Sequence, residues 1–201
     1  MILPEGVIEK LREELASLEN KVIIAFKGNN SELSQKVKAI LEDIVSVSNK
    51  LELVEKDIDC LGYPCVSLER ENKEVGIRYM GNLEGGEFDT FIKTLKMVGN
   101  NIIDLEDRTI EFLKEIDKPV DIKVFVTISC GWCAPALLKC NSFALASDYI
   151  TTTGIDCYAF PDIANSYNVV SVPKIVINDK EELIGAVSEN HILGAIFKAI
   201  D

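Results

Sequence analysis

The sequence lacks both an excess of basic residues and a long apolar run. Acidic residues outnumber basic residues by 33 to 21, and the net charge of -12 at pH 7 repels the phosphates of nucleic acids and of anionic lipids. The longest apolar runs, Val22 to Phe26 and Lys123 to Ile128, are far shorter than the roughly 20 residues of a membrane-spanning helix. We therefore expect neither a nucleic-acid partner nor a membrane span.

Two further motifs are missing. The amino-terminal segment MILPEGVIEKLREEL has no basic stretch followed by an apolar one, so we expect no secretion signal. No G-x-G-x-x-G fingerprint occurs, so we expect no bound flavin or nicotinamide, and any electrons must come from a separate reductase. The chain does contain six cysteines, and without a secretion signal these predict a reducing, cytoplasmic location in which thiols are catalytic, bind metal or lie buried.

Helices and strands are predicted in a similar order in the two halves of the chain, residues 1–100 and 101–201. In the first half, hydrophobic periodicity and turn residues predict helices over 4–18, 32–47 and 86–98 and strands over 21–26, 50–56, 65–70 and 75–80. In the second half, they predict helices over 104–116, 130–149, 161–167 and 189–200 and strands over 121–128, 153–158, 174–178 and 182–187. The pattern is that of an α/β protein.

Short sequences also recur between the halves at an offset of 102 residues. VIEKL from Val7 matches TIEFL from Thr109, and VIIAF from Val22 matches VFVTI from Val124, which indicates a duplication. Each half has one proline directly before a strand, Pro64 and Pro173. Because the position recurs, we predict that both prolines follow cis peptide bonds.

The segment SCGWCAP contains two cysteines, Cys130 and Cys133, where a strand gives way to a helix. The free N–H groups and the dipole of a helix N-terminus favour a thiolate, so the outer thiol, Cys130, is predicted to attack a disulfide and Cys133 to resolve the product. The predicted redox centre is a Cys130–Cys133 disulfide with no other cofactor. We expect Pro173 to face it, with Gly131, Trp132 and Val172 forming the groove for the substrate strand.

The other cysteines have simpler interpretations. Cys140 lies on the helical face of Cys133, and Cys157 lies in a predicted strand, so both are read as small buried residues. Cys60 and Cys65 flank Pro64 and could form a second redox pair, although no helix N-terminus is predicted beside them. A zinc site is the alternative for the Cys-x-x-Cys motif, but its further ligands would have to come from distant elements. The single histidine, His191, is interpreted as a surface residue.

Several segments resemble those of the protein disulfide oxidoreductases of thermophilic archaea and bacteria, which are glutaredoxin-like proteins built of two fused thioredoxin folds. The resemblance rests on KVFVTISCGWC, FALASDYIT and VVSVPKIVIN in the second half and on VGIRYMG and GGEF in the first. The resemblance implies two tandem thioredoxin folds, residues 1–100 and 101–201, each with a central mixed β-sheet flanked by helices. The same arrangement forms the N-terminal domain of the flavoprotein component of alkyl hydroperoxide reductase, which passes electrons to a peroxiredoxin.

The sequence departs from the thermophilic family in its first half. That family usually carries Cys-x-x-Cys in both halves, whereas Ser31 and Ser34 occupy the spacing here, as in the hydroperoxide reductase domain with its single redox-active half. Val124 also replaces the buried aspartate of thioredoxins. The resemblance implies instead that Glu87, in GGEF, lies near the redox centre, and the alternative is a solvated acid at a helix start.

The sequence therefore predicts an enzyme, a cytoplasmic thiol-disulfide oxidoreductase that exchanges protein disulfides through one Cys-x-x-Cys pair. Its expected partners are protein disulfides and a flavoprotein similar to thioredoxin reductase. One alternative is a dedicated electron donor to a peroxiredoxin. Another, from a different class, is a non-catalytic or zinc-holding binding module.

Overall fold

The structure, a computed structural model, describes all 201 residues as seven helices and eight strands. In the first half these are α1 (Glu5–Leu15), β1 (Val22–Lys27), α2 (Glu32–Ser46), β2 (Leu51–Glu55), β3 (Cys65–Arg70), β4 (Lys73–Met80) and α3 (Gly85–Asn100). In the second half they are α4 (Asp107–Leu113), β5 (Val120–Val126), α5 (Cys133–Ala146), β6 (Ile150–Asp156), α6 (Pro161–Ser166), β7 (Lys174–Ile177), β8 (Glu181–Ile184) and α7 (Glu189–Ile200).

All eight strands belong to one mixed sheet, in the order β2-β1-β3-β4-β6-β5-β7-β8. Within the first four strands, β1 is parallel to β2 and antiparallel to β3, and β3 is antiparallel to β4. The last four strands repeat this pattern, since β5 is parallel to β6 and antiparallel to β7, and β7 is antiparallel to β8. The two halves thus have the same strand order and the same strand directions.

The halves are joined at the centre of the sheet. Strands β4 and β6 pair in parallel, with Ile77 opposite Thr152 and Met80 opposite Ile155. Helices α3 and α5 cross the same junction, where Asn141 Nδ2 donates to Tyr79 Oη and to Thr94 Oγ1, both at 3.1 Å. The junction is therefore a continuous sheet and core, a feature that the separate predictions for each half did not contain.

The two faces of the sheet are covered differently. Alternate strand residues, such as Ile24, Val66 and Val124, pack with helices α1, α2, α3, α4, α5 and α7 in a cluster of 39 buried residues, the larger core. The intervening residues, such as Cys65 and Phe125, pack with α6 and connecting segments in a cluster of eight, the smaller core. This alternation follows from the two-residue period of a strand.

Two helices are shorter than predicted. Helix α5 begins at Cys133 rather than Cys130, because residues 130–133 form a tight turn in which the Cys133 N–H donates to the Cys130 carbonyl oxygen at 3.3 Å. Helix α4 ends at Leu113, because the next residues continue as turns with i to i−3 hydrogen bonds, including Ile116 N–H to Leu113 O at 3.2 Å. None of the seven helices combines the length and apolarity that crossing a bilayer requires.

Candidate active site

The two cysteines of the CGWC motif lie between β5 and α5. The Cys130 N–H donates to the Thr127 carbonyl oxygen at 3.1 Å, which turns the chain directly after the strand. The Cys130 and Cys133 sulfurs are bonded to each other. Cys133 is the first residue of α5 and Cys130 lies in the preceding turn, so the disulfide is at the helix N-terminus, where free N–H groups favour a thiolate.

The two sulfurs differ in their access to solvent. Cys133 has no exposed surface and belongs to the larger core, whereas Cys130 is half-buried at its edge. Gly131 is exposed, and Trp132 has 72% of its surface exposed. Only Cys130 is therefore open to a bulky disulfide, and an exposed indole lies directly beside it.

Both predicted cis peptide bonds are present, at Tyr63–Pro64 and Val172–Pro173. Pro173 is buried directly before β7. Val172 is half-buried and packs against the larger core, as Cys130 does. A role of Pro173 and Val172 in binding substrate remains a prediction.

The corresponding loop of the first half is held by hydroxyl groups rather than by sulfur. Ser31 caps α2, as predicted, by accepting a hydrogen bond from the Ser34 N–H at 3.1 Å. Both hydroxyls also donate to Asn29 Oδ1, at 2.5 Å from Ser31 and 2.7 Å from Ser34. This closed network has no group that can form a disulfide. Sequence reasoning did not single out Asn29, although an asparagine two residues before a helix cap is typical of such turns.

Glu87 lies in the first turn of α3, and its placement contradicts the solvated alternative, because only 3% of its surface is exposed. The start of α3 packs against the loop that leads to Cys130. The Gly86 N–H donates to the Ile128 carbonyl oxygen at 3.0 Å. At Gly85, whose φ is +54°, a Cβ atom would lie only 2.7 Å from that same oxygen. The first half therefore places a buried carboxyl group close to the redox loop of the second half.

A second buried carboxyl group, Asp156, lies at the end of β6. It accepts hydrogen bonds from the N–H of Tyr158 at 3.0 Å and the N–H of Asn82 at 3.3 Å. Burial, and then the nearby charge of Asp156, raises the pKa of Glu87 to about 7. Burial also raises the pKa of Asp156, although its backbone N–H donors oppose the shift. Sequence reasoning missed Asp156, and the available signal was an acid inside the otherwise uncharged strand ITTTGID.

The remaining predicted residues lie away from this pair. Cys140 is fully buried, as predicted, and burial raises its thiol pKa to about 12. Cys157 lies just after β6 rather than inside a strand, and it is only half-buried. Cys60 and Cys65 are bonded to each other. His191 is exposed, as predicted, and its Nδ1 lies 2.9 Å from the Ser188 hydroxyl that caps α7.

No three side chains of His, Cys, Asp or Glu are grouped so that they could hold a metal ion. Both cysteines of the CGWC motif use their sulfurs in one disulfide. The chemistry that the described geometry carries is thus disulfide exchange with buried carboxyl groups nearby.

Comparison with known proteins agrees with this fold. Residues 120–198 match the family model of the thioredoxin domain. A protein disulfide oxidoreductase from Aeropyrum pernix is 25% identical with a TM-score of 0.86, covering 98% of this chain and 93% of that one. The NTD_N/C domain of the alkyl hydroperoxide reductase AhpF from Enterococcus faecalis is 21% identical with a TM-score of 0.87, covering 96% of this chain and 99% of that one.

The curated relatives are longer than this chain. The alkyl hydroperoxide reductase protein AhpF of Pseudomonas aeruginosa is 26% identical over 195 residues, which are 97% of this chain and 37% of that protein. The chain thus spans 37% to 39% of the length of the curated relatives that it matches first. Its similarity to them covers both thioredoxin folds.

Proposed function

We propose that this oxidoreductase, with its two thioredoxin folds, exchanges protein disulfides through the single pair Cys130–Cys133. The observation that carries the proposal is the difference between the two sulfurs, with Cys130 half-buried at a helix N-terminus and Cys133 sealed in the core. A protein disulfide can reach the first sulfur only, and the second is held ready to displace it. The division into units 1–100 and 101–201 is part of the proposal.

In the reducing direction, the reaction has two steps. The Cys130 thiolate attacks one sulfur of the substrate disulfide, forming a mixed disulfide and releasing the other substrate sulfur as a thiolate, which takes up a proton. The Cys133 thiolate then attacks Cys130, which forms the Cys130–Cys133 disulfide and releases the second substrate thiolate. Two electrons pass from the enzyme to the substrate. The oxidising direction is the reverse.

Glu87 is proposed as the group that exchanges a proton with Cys133. The Cys133 thiol is buried and must lose its proton before it can attack, and solvent has no direct path to it. A carboxyl group with a pKa of about 7 is present in both its charged and neutral forms near neutral pH, so it can accept and return a proton. Asp156 is proposed to position this equilibrium through its charge.

We propose that a separate flavoprotein similar to thioredoxin reductase returns electrons to Cys130–Cys133, and that both proteins act in the cytoplasm. A second candidate function is electron transfer to a peroxiredoxin. The lack of thiols at Ser31 and Ser34 favours it, because the hydroperoxide reductase domain that the sequence resembles also has one redox-active half.

Reduction of insulin by dithiothreitol tests the general function, and peroxide consumption with a peroxiredoxin and a thioredoxin reductase tests the specific one. We expect the purified protein to accelerate insulin reduction well above the rate with dithiothreitol alone. Activity only in the peroxiredoxin assay would favour the second candidate. Inactivity in both assays, together with bound zinc by metal analysis and no oxidisable pair by thiol counting, would favour the binding module.

A further inference from the structure

A second disulfide, Cys60–Cys65, lies on the opposite face of the sheet from the active site. Cys65 is the first residue of β3 and is fully buried in the smaller core, whereas Cys60 is half-buried in the segment between β2 and β3. Cys133 belongs to the larger core on the other face. The sheet therefore separates the two disulfides, and neither can attack the other within one molecule.

Cys60 lines a cavity of about 260 Å³ at the junction of the two halves. The cavity is lined by apolar side chains of Leu61, Met80 and Ile155 and by polar or charged side chains of Asp59, Arg78, Asp121, Lys123 and Thr153. Its volume lies just below the usual range of small-molecule pockets, so it suits a small compound rather than a protein strand. One sulfur of the pair is thus accessible from a cavity while the other is sealed.

Non-covalent contacts hold the segment that carries Cys60. The Tyr63 hydroxyl donates to the Ile58 carbonyl oxygen at 3.0 Å, and Arg78 Nη1 donates to the Asp59 carbonyl oxygen at 2.8 Å. A Cβ atom added at Gly62 would lie only 2.7 Å from the Phe160 ring, so this part of the segment packs directly on the second half. These contacts keep the segment in place when the disulfide opens.

The disulfide also adds little as a staple. Its sequence separation is five residues, and a ring this short constrains the unfolded chain much less than a long one. The fold therefore accommodates both the bonded and the reduced forms of Cys60 and Cys65.

We propose that Cys60–Cys65 is a second thiol-disulfide exchange site, whose substrates are low-molecular-weight thiols and their disulfides. A small thiolate entering the cavity attacks Cys60 Sγ, forms a mixed disulfide there and releases Cys65 as a thiolate, which takes up a proton. A second thiolate attacks the small-molecule sulfur of the mixed disulfide. It leaves as the small-molecule disulfide, and Cys60 is released as a thiolate. Two electrons pass from two small thiols to the protein.

This site goes beyond the proposed function and does not depend on it, so its test uses the Cys130→Ser/Cys133→Ser protein. In that background, Cys65→Ser and Cys60→Ser each leave one thiol of the second pair. The folded proteins are incubated with oxidised glutathione as the probe, and adducts are located by peptide mass spectrometry. We expect an adduct on Cys60 in the first variant and at least tenfold less on Cys65 in the second, with both thiols reacting equally in urea.

Reduction of the intact pair gives a second measurement in the same background. We expect reduced glutathione to open Cys60–Cys65 under native conditions without changing the far-ultraviolet circular dichroism. Resistance to reduction until the protein unfolds would overturn the proposal and leave a structural disulfide. So would equal adducts on Cys60 and Cys65 in the folded variants, or adducts confined to Cys157.

Discussion

The two halves have the same strand order and strand directions, but only the second has thiols at the first turn after its first strand. In the first half, the hydroxyls of Ser31 and Ser34 close a network with Asn29 at the start of α2. In the second half, Cys130 and Cys133 form a disulfide at the start of α5. The comparison indicates that the fold supplies the position and that the residue type decides whether that position carries redox chemistry.

The first half is not merely a silent copy. Its helix α3 places Glu87 against the loop that precedes Cys130, so the proposed proton carrier and the thiols come from different halves. The buried network of Asn141, Tyr79 and Thr94 crosses the same junction. The four predictions below test whether the halves differ only in their thiols and whether they act as one unit.

The largest expected effect comes from the thiols of the second half. Cys130→Ser should lower insulin reduction by at least about 10³-fold, because it removes the attacking thiolate. Cys133→Ser keeps that thiolate and should accumulate a mixed disulfide with the substrate, visible on non-reducing electrophoresis. The control, Cys60→Ser/Cys65→Ser, should retain the wild-type rate. Appreciable insulin reduction by Cys130→Ser would contradict the assignment.

Glu87→Gln should change both activity and the pH dependence of stability. Loss of the proton carrier should lower turnover about tenfold or more near pH 7. The native pKa of about 7 lies above the ordinary value of 4.5, so the native state binds more protons between these values, and wild-type stability falls as the pH rises through that window. The variant lacks this fall, and its unfolding free energy relative to wild type should rise by on the order of 2 kcal/mol between pH 4.5 and 8.

Urea titrations at several pH values measure the stability effect, and insulin turnover over the same range measures the activity effect. Asp89→Asn, at an exposed position of α3, is the matched control and should leave both profiles unchanged. A stability difference that does not vary with pH would argue against a raised pKa at Glu87. An unchanged rate would remove Glu87 from the mechanism.

Asn141→Leu should destabilise the junction of the halves. It removes both hydrogen bonds that Asn141 Nδ2 donates to Tyr79 and Thr94 in a fully buried site, which should cost about 1–3 kcal/mol. If the halves act as one unit, the single thermal transition should shift as a whole, as calorimetry can measure. Asn165→Leu, on the exposed side of α6, should change stability by less than about 0.5 kcal/mol. Two separate transitions, one of them unshifted, would show that the halves unfold independently.

The smallest effect is expected from adding thiols to the first half. In the Cys130→Ser/Cys133→Ser background, Ser31→Cys/Ser34→Cys should form a disulfide on oxidation, seen as a loss of two titratable thiols. Insulin reduction should stay below about 1% of the wild-type rate, because the side chains of Ser31 and Ser34 contact the amide of Asn29 rather than a buried acid. A rate above a tenth of wild type would mean that thiols are all that the first half lacks.

Much of this arrangement was predictable from local sequence. The apolar strands, the serine cap of α2, the cis bonds before both prolines and the burial of Cys140 follow from residue type and spacing. The pairing of β4 with β6 was not predictable in this way, since no local pattern specifies which edge strands of two halves will meet. The burial of Glu87 beside Asp156 depends on that same junction, so its raised pKa could not be derived from the residues around GGEF alone.

The pairing of β4 with β6 also determines how many sheet edges the protein leaves open. Two separate four-stranded sheets would have four edge strands with unpaired backbone groups, whereas the joined sheet has only β2 and β8. Both remaining edges carry adjacent or nearby acids, Glu52 and Glu55 on β2 and Glu181 and Glu182 on β8. Charges on an edge strand oppose pairing with a strand of another chain. Fusion of the halves thus removes two potential sites of edge-to-edge aggregation, and like charges protect the other two.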